Sequence, residues 1–363
     1  MEYHHLKEYG LTDYFIRQAD CYDGLYLARV SEQHREMYQV ISEQGELQAS
    51  VSGKLAYQAS GCEDFPAVGD WVMIDRDDDR SGRAVIHHIL KRQSVFVRKA
   101  AGTANTLQII AANIDQVFLC MSLNADFNLR RLERYLAIAW DSGSTPVVVL
   151  TKTDLCADLS QKLAEIATVC VGCDVITCSS LEDYGYEQVV SYLTKGKTIA
   201  LLGSSGVGKS TLINRLMNSE ILATHETRKD DKGRHTTTHR QLMLLPQGTI
   251  VIDTPGMREL HLSSADLSRS FDDIADLATG CKFPDCSHTA EPGCAVREAI
   301  AAGELPQERF ENYLKLQKEL DYEGLNFRQR EQEKIKRMFG SKGEMKQLMQ
   351  HVKNKRHYTN NRQ

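Results

Sequence analysis

A glycine-rich segment that ends in lysine is the strongest chemical signal in the chain. Residues 203–211 match the pattern G-x-x-x-x-G-K-[ST] and directly follow an apolar run at 198–202. Glycines let the backbone curl so that its N–H groups face phosphate oxygens, and the helix that follows adds its positive N-terminal end. In this pattern Lys209 neutralises the β- and γ-phosphates, and the Ser210 hydroxyl ligates Mg²⁺. The predicted phosphate-binding residues are Gly203, Ser204, Ser205, Gly206, Val207, Gly208, Lys209, Ser210 and Thr211.

A second segment has the pattern of a magnesium and γ-phosphate contact. The apolar run at 249–252 ends in Asp253, and Gly256 follows three positions later. Asp253 is predicted to hold Mg²⁺ through water, and the Gly256 N–H is predicted to contact the γ-phosphate. An Asp-x-x-Gly after a strand is weak by itself and strong beside a phosphate loop.

A third segment indicates which base is bound. Residues 151–154 follow an apolar run at 146–150, at the strand end where open α/β sheets bind ligands. The Asp154 carboxylate can accept hydrogen bonds from N1–H and N2–H₂ of guanine, whereas adenine offers neither donor there. The Lys152 stem can pack over the ring, and the segment 178–180 can offer a backbone N–H to guanine O6. The alternative is an ordinary strand-to-helix turn with an Asp cap. The predicted base-binding residues are Thr151, Lys152, Thr153, Asp154, Ser179 and Ser180.

A Cys/His-rich segment has the spacing of a metal site. Residues 281–294 read C-x₄-C-x-H-x₅-C, which is a closed set of four ligands suited to a tetrahedral, structural Zn²⁺. Core cysteines or an iron site are the alternatives. Cys170 and Cys173 also form a C-x-x-C, but no second pair lies near them, so we interpret them as core or loop thiols. The predicted zinc ligands are Cys281, Cys286, His288 and Cys294.

The middle of the chain must position these segments. From about 106 to 262, continuous apolar runs alternate with segments of helical period, which is typical of a parallel sheet covered on both faces. The base-binding segments precede the phosphate loop, so the order is that of a circularly permuted P-loop GTPase domain. Such permutation is tolerated because domain termini often lie close together. The predicted strands are 116–121, 146–150, 174–178 and 198–202, and the predicted helices are 129–140, 160–168, 187–194 and 211–217.

Two further parts flank this α/β domain. Residues 1–105 are predicted to be β-rich, with an N-terminal extension and short strands that fit an OB-like β-barrel, although other small barrels fit nearly as well. Residues 263–363 are predicted to form a helical C-terminal domain that contains the zinc segment. Residues 328–363 hold 11 Lys and Arg against 3 Asp and Glu, a net charge of +8 in a chain of net charge −5. This basic tail suits a polyanion, and a solvated helix face is the alternative.

Composition excludes several classes of protein. The chain has 363 residues, of which 42% are hydrophobic and 26% charged, so a collagenous or wholly disordered protein is excluded. No apolar run reaches about 18 residues, and the first residues lack a signal-peptide pattern. We therefore expect a soluble, cytoplasmic protein with no membrane contact. Its ten cysteines are expected to be thiols or metal ligands.

Together these motifs resemble the RsgA-type family, circularly permuted GTPases that act in late maturation of the small ribosomal subunit. The resemblance covers nearly the whole chain and includes Pro-Ala-Val-Gly-Asp-Trp-Val at 66–72 and Gly-Arg-His-Thr-Thr-Thr at 233–238, which is similar to the family's switch I signature. It implies that His235 assists hydrolysis on the ribosome. One threonine of 236–238, for which we favour Thr237, is expected to complete the Mg²⁺ shell. Thr151 departs from the Asn of many GTPases.

The resemblance implies a GTP hydrolase that binds GTP, GDP, the small ribosomal subunit and its rRNA, and couples turnover to release. The sequence does not reveal the oligomeric state, for which we expect a monomer. Met257 stands where many GTPases place a water-orienting Gln, so intrinsic hydrolysis is expected to be slow. The catalytic residues predicted on this basis are His235, Lys209 and Gly256. The alternative is a guanine-nucleotide-dependent rRNA-binding regulator in which hydrolysis is incidental. An ATP-dependent RNA factor is disfavoured by Asp154.

Overall fold

A computed structural model gives the fold of most of the chain. Residues 1–302 form one compact unit, and residues 303–363 belong to a second. The described part of the second unit is residues 303–324, which contain helix α10 (Gln307–Gly324). Among the described helices, none combines the length and the apolar character that crossing a bilayer requires. The described residues are 2–34, 37–78, 82–99, 107–179, 184–218, 241–253, 260 and 267–324.

Strands near the N-terminus close into a barrel. They are β1 (Tyr26–Gln33), β2 (Tyr38–Ser42), β3 (Gly45–Val51), β4 (Trp71–Ile74) and β5 (Ala84–Ile89). Around the barrel the order is β1-β2-β3-β5-β4 and back to β1, with β3 and β5 parallel and the other pairs antiparallel. A helix, α3 (Gly53–Gln58), lies between β3 and β4. This connectivity is that of an OB-fold, so the predicted barrel is confirmed.

Helix α3 stands where the sequence alternates between apolar and polar residues from 47 to 55, a pattern that predicts one strand. Strand β3 ends at Val51, and the Ser52 hydroxyl accepts a hydrogen bond from the Leu55 N–H at 3.1 Å. This side-chain cap satisfies a backbone donor of the first helical turn. It therefore starts a helix in a segment whose apolar alternation indicates a strand.

The α/β part confirms the predicted parallel sheet. Its strands are β8 (Gln116–Ser122), β9 (Thr145–Thr151), β10 (Asp174–Thr177), β11 (Thr198–Leu202), β12 (Gln241–Leu244) and β13 (Ile250–Asp253). The order is β10-β9-β8-β11-β13-β12, and the pairs are parallel except that β12 runs antiparallel to β13. The helices between them are α4 (Leu129–Ser142), α5 (Leu159–Ala167), α6 (Tyr186–Ser191) and α7 (Lys209–Leu216). The carboxyl ends of the parallel strands share one edge, which is where ligands bind in such sheets.

A hairpin of two strands, β6 (Val95–Lys99) and β7 (Leu107–Ala112), leads from the barrel into the α/β part. The predicted boundary at residue 105 falls between these strands. The Ala112 N–H donates to the Val68 carbonyl at 2.9 Å. Gly69 has φ +91°, and a Cβ there would lie 2.2 Å from the Ala112 carbonyl oxygen. Glycine is therefore required for the hairpin to pack this closely on the barrel.

A buried arginine also joins the barrel to the α/β sheet. The Arg29 guanidinium donates to the Thr198 hydroxyl at 2.8 Å and to the Gly69 carbonyl at 3.4 Å, and it lies 5.2 Å from the centre of the Trp71 ring. Burial lowers the pKa of Arg29 to about 10, so the side chain stays charged at neutral pH. Thr198 is the first residue of β11. The Arg29 side chain therefore connects the barrel to the strand that leads into the predicted phosphate loop.

Helices α8 (Asp272–Thr279) and α9 (Ala295–Ala302) flank the Cys/His-rich segment. The described residues after 267 are thus mainly helical, as the sequence predicts, with breaks at the Cys/His-rich segment and at residues 303–306.

The N-terminus of the first helix, α1 (His5–Glu8), supports a pH-dependent prediction. The Glu43 carboxylate accepts hydrogen bonds from the N–H groups of His4, His5 and Leu6 at 2.8, 3.0 and 3.2 Å. Burial raises the pKa of Glu43, but these hydrogen bonds outweigh it and leave the pKa below its ordinary value. The carboxylate therefore stabilises the fold above its unfolded-state pKa, and this contribution is lost as the pH falls through the lower folded-state pKa.

We expect Glu43→Gln to lower stability by about 1–2 kcal/mol at pH 7 and by much less near pH 3. Thermal unfolding followed by circular dichroism at both pH values measures the difference. Glu8→Gln, an exposed change in the same helix, is the control. Equal destabilisation by Glu43→Gln at the two pH values would contradict the prediction.

Candidate nucleotide site and metal centre

The predicted phosphate loop lies between β11 and α7, at the carboxyl edge of the sheet. Gly206 and Gly208 have φ of +79° and +97°, so the loop adopts turns that favour glycine. Gly203 packs against β8, where a Cβ would lie 2.3 Å from the Cys120 carbonyl oxygen. The Lys209 ammonium donates to the carbonyls of Gly203 and Ser204 at 2.8 and 2.7 Å. The lysine thus folds back over the loop, with Ser205 and Val207 in the loop and Ser210 and Thr211 in the first turn of α7.

The predicted base-binding residues lie at the ends of β9 and β10. Lys152 directly follows β9 with φ +57°, and Thr153 and Asp154 form the 3-10 helix Thr153–Leu155. The Ser179 hydroxyl, after β10, donates to Asp154 Oδ1 at 2.7 Å. Because β9 and β10 are parallel neighbours, their ends bring together two residues that are 25 positions apart in the chain. The contact orients the carboxylate that is expected to bind guanine.

Thr151 links the base-binding segment to the phosphate loop. Its side chain is buried, and its hydroxyl donates to the Val207 carbonyl at 2.6 Å. Many GTPases have Asn at the position of Thr151. Here the threonine hydroxyl is the donor that connects residues 151–154 to the phosphate loop. This hydrogen bond holds the predicted base-binding segment next to the predicted phosphate loop.

We expect Thr151→Val to weaken GDP binding about five- to tenfold, because the Val207 carbonyl then lacks a buried donor. Thr151→Ser keeps the hydroxyl and is the matched control. Competition against a fluorescent GDP analogue measures both affinities. Wild-type affinity in Thr151→Val would show that the hydroxyl contact has no part in binding.

Asp253 supplies a carboxylate beside the phosphate loop. It ends β13, which is paired with β11. Burial raises the pKa of Asp253, and the nearby Lys209 ammonium opposes this shift. A carboxylate at this position and the Ser210 hydroxyl are oxygen ligands of the kind that Mg²⁺ prefers. The two residues could hold a magnesium ion at the phosphate end of the site.

Several predicted residues lie outside the described part of the chain: Ser180, His235, Thr237 and Gly256, together with Met257. The chain is described again at Leu260, which is buried. The Leu260 carbonyl accepts from Arg134 Nη2 on α4 at 3.2 Å, and its backbone bridges to Arg98 of β6. Leu260 is therefore held by α4 and by the hairpin.

An arginine that the sequence analysis does not identify lies at the phosphate loop. Arg131 Nη1 donates to the Ser204 hydroxyl. It also donates to the two carboxylate oxygens of Asp126, each at 2.8 Å. Asn128 caps the N-terminus of α4 by accepting from the Arg131 N–H at 3.0 Å. The sequence signal that could have identified Arg131 is its place in the first turn of a helix that follows a parallel strand.

The four predicted metal ligands converge. Their donor atoms all lie within 4.8 Å of one another. His288 Nδ1 is 3.5 Å from Cys281 Sγ and 3.4 Å from Cys294 Sγ, and the two sulfurs are 3.9 Å apart. Bonds of about 2.3 Å to sulfur and 2.0–2.1 Å to nitrogen, at tetrahedral angles, place ligand atoms roughly 3.5–3.8 Å apart. With Cys286 as the fourth donor, the cluster could hold a tetrahedral metal ion such as Zn²⁺.

The other cysteine pair lies in the turn between α5 and β10. Cys170 and Cys173 are partly buried, and a hydrogen bond from Cys170 lowers the pKa of Cys173. Within the described residues no third metal-binding side chain joins them.

The chain matches known families and proteins. A family model described as RsgA GTPase matches residues 89–263. A model described as ABC transporter matches residues 186–357, a range that includes the phosphate loop but excludes residues 151–154. A protein of Lactiplantibacillus plantarum named small ribosomal subunit biogenesis GTPase RsgA 2 is 56% identical over 346 residues, which are 95% of this chain and 97% of the relative. A protein of the same name from Listeria monocytogenes serotype 4b is 45% identical over 320 residues, 87% of this chain and 90% of the relative.

Solved structures with a similar fold include those of YjeQ and YloQ. YjeQ from Thermotoga maritima has a TM-score of 0.61 and 29% identity, with 83% of this chain and 100% of that chain covered. The structure of YloQ, described as a circularly permuted GTPase, has a TM-score of 0.59 over 84% of this chain and 98% of that chain; at 23% identity it bears on the fold alone. Identity across nearly the full length, together with the permuted order of base and phosphate segments, shows that this chain belongs to the RsgA family of GTPases.

Proposed function

We propose that the edge of the sheet formed by residues 151–154, Ser179 and 203–211 binds GTP and hydrolyses it to GDP and phosphate. The observation that carries this proposal is the Thr151–Val207 hydrogen bond, which joins a base-binding carboxylate segment to a phosphate loop in one site. Asp154 accepts from the guanine N–H groups, and backbone N–H groups of the loop cradle the phosphates. The Lys209 side chain moves from the loop carbonyls to the β- and γ-phosphates.

Residues around this loop complete the proposed mechanism. Asp253 and Ser210 would hold Mg²⁺, which would supply charge neutralisation on the phosphates when bound. Thr237 adds an oxygen ligand, the Gly256 N–H contacts the γ-phosphate, and His235 accepts a proton or orients water when the protein is docked. The Met257 side chain offers neither a donor nor an acceptor for this purpose, so intrinsic turnover is slow.

Family membership makes the chain a GTPase of small ribosomal subunit biogenesis, and we propose that turnover is coupled to its release from that subunit. The curated relatives carry this role in their names. The OB-fold barrel (1–105), the Cys/His segment and the basic tail, within 263–363, are the proposed rRNA contacts around the GTPase domain (106–262). The protein acts in the cytoplasm as a monomer.

The test is steady-state GTP turnover with and without purified small ribosomal subunits. The proposal predicts a large stimulation by the subunit and its loss in His235→Ala. Absence of stimulation would favour the alternative, in which nucleotide state controls rRNA binding and hydrolysis is incidental. Co-sedimentation with the subunit in GTP and in GDP, run in parallel, measures whether the nucleotide controls release.

We also propose that Cys281, Cys286, His288 and Cys294 bind one structural Zn²⁺. The support is the separation of their donor atoms, which fits the edges of a tetrahedron. Between them lie turns rather than core-forming elements, so the segment depends on the metal for its order.

A further inference from the structure

The phosphate loop is in contact with a second cationic side chain besides Lys209. Lys209 donates to the carbonyl of Ser204, and Arg131 donates to the hydroxyl of the same residue. The two cations therefore approach the first turn of the loop through one serine. The sequence motif requires only the lysine, so the arginine is an addition made by α4.

Arg131 is held in place by a series of hydrogen bonds that starts at the end of β8. The Ser122 hydroxyl donates to Asn124 Oδ1 at 2.8 Å, and the Asp126 N–H donates to the same oxygen at 3.0 Å. Asp126 then binds Arg131 through both carboxylate oxygens. The loop from β8 to α4 is thus shaped to present a carboxylate and a guanidinium beside the phosphate loop.

The Arg131 guanidinium retains donor capacity. Its side chain is 30% exposed, and the hydrogen bonds from this side chain to Asp126 and Ser204 all come from Nη1. Toward the described residues, Nε and Nη2 donate no hydrogen bond. A guanidinium with one edge anchored and other N–H groups available is suited to an anion, because arginine binds phosphate through several donors in a fixed plane.

We propose that Arg131 is a positioning residue for the nucleotide phosphates: it fixes the first turn of the loop through Ser204, and its charge, partly neutralised by Asp126, attracts the phosphate groups. This inference rests on the proposed GTPase site and deepens it. The net charge beside the loop is set by the Asp126–Arg131 pair. Removing either partner must therefore change phosphate affinity, and the two changes must have opposite signs.

The opposite signs separate this role from a merely structural one. Arg131→Gln removes the positive charge and leaves Asp126 to repel phosphate, so binding weakens. Asp126→Asn leaves the guanidinium unneutralised, so binding tightens. If the pair only stabilised the local fold, both substitutions would weaken binding.

The experiment measures affinity for GTP and GDP and the kcat and KM for GTP in the full-length chain at low and high salt. We expect Arg131→Gln to weaken GTP binding about tenfold and to raise KM more than it lowers kcat. Arg131→Lys should recover part of this loss of affinity. Asp126→Asn should tighten GTP binding about threefold. The charge effects should shrink at high salt. Arg83→Gln, an exposed change on the barrel, controls for net charge.

Weaker binding in Asp126→Asn, or unchanged affinity and KM in a folded Arg131→Gln, would overturn the inference. Thermal unfolding of each variant shows whether it is folded, and Ser204→Ala, which removes only the loop hydroxyl, tests the contact if Arg131→Gln fails to fold. Ser204→Ala should weaken GTP binding, and wild-type affinity in that variant would also overturn the inference. Failure of wild-type protein to bind guanine nucleotides would instead reject the proposed function.

Discussion

Replacing Asp154 with Asn is expected to change the preferred base from guanine to xanthine. In the proposed site the Asp154 carboxylate accepts hydrogen bonds from N1–H and N2–H₂ of guanine, and the Ser179 hydroxyl donates to this carboxylate at 2.7 Å. Xanthine carries an oxygen where guanine carries the 2-amino group, so an Asn amide can donate to it. We expect affinity for GDP to fall about a thousandfold, because buried polar groups are left unpaired, and affinity for xanthosine diphosphate to rise.

Competition of both diphosphates against a fluorescent nucleotide measures this change. Asp158→Asn is the matched control: Asp158 is four positions away, caps α5 by accepting from the Gln161 N–H, and Asn serves equally well as a cap. Ser179→Ala removes only the orienting hydrogen bond and should weaken binding about tenfold without changing base preference. An Asp154→Asn protein that still prefers guanine would refute this role of the residue.

Loss of the metal is expected to unfold the Cys/His segment. Cys286→Ser removes one of four donors from residues 281–294, a segment that has turns between its ligands and few buried side chains. Zinc binding to such segments contributes on the order of 10 kcal/mol to folding. We expect the variant to contain no zinc at purification and to be cleaved rapidly by protease between α8 and α9.

Zinc content per chain and limited proteolysis measure these effects, and a chelator applied to the wild-type protein should reproduce them. Cys62→Ser, at an exposed thiol of the barrel region, is the control and should leave both unchanged. One zinc ion retained by Cys286→Ser, or none in the wild-type protein, would contradict the assignment of the ligands.

Spacing along the sequence was sufficient to predict the parts of the site that depend on local elements. The phosphate loop has its turn glycines and its helix within one segment of chain, and the metal donors lie within 14 residues. Asp154 and Ser179 could be expected to meet because the carboxyl ends of neighbouring parallel strands share one edge of the sheet.

Contacts between distant segments could not be predicted in the same way. Arg131 and Ser204 are 73 positions apart, and Arg29 and Thr198 are 169 apart. An arginine in an amphipathic helix or in a barrel strand has the same local pattern whether it faces water or another part of the protein. Both contacts follow from the packing of α4 and of the barrel on the sheet, for which a single sequence gives no periodic signal.

The Arg29 contact also gives the barrel a physical connection to the nucleotide site. Thr198 begins β11 and the phosphate loop follows its last residue, Leu202. This connection passes through a buried, charged side chain, and its removal would take the Arg29 donor away from the Thr198 hydroxyl, while the Gly69 carbonyl would keep its hydrogen bond from the Asn113 amide at 3.1 Å.

The most direct test of the central claim is calorimetric titration of the wild-type chain with GDP and with ADP in the presence of Mg²⁺. One site that joins Asp154 to the phosphate loop predicts one GDP bound per chain and ADP binding at least about a thousandfold weaker. Equal affinity for the two nucleotides, or no heat of binding with GDP, would contradict it.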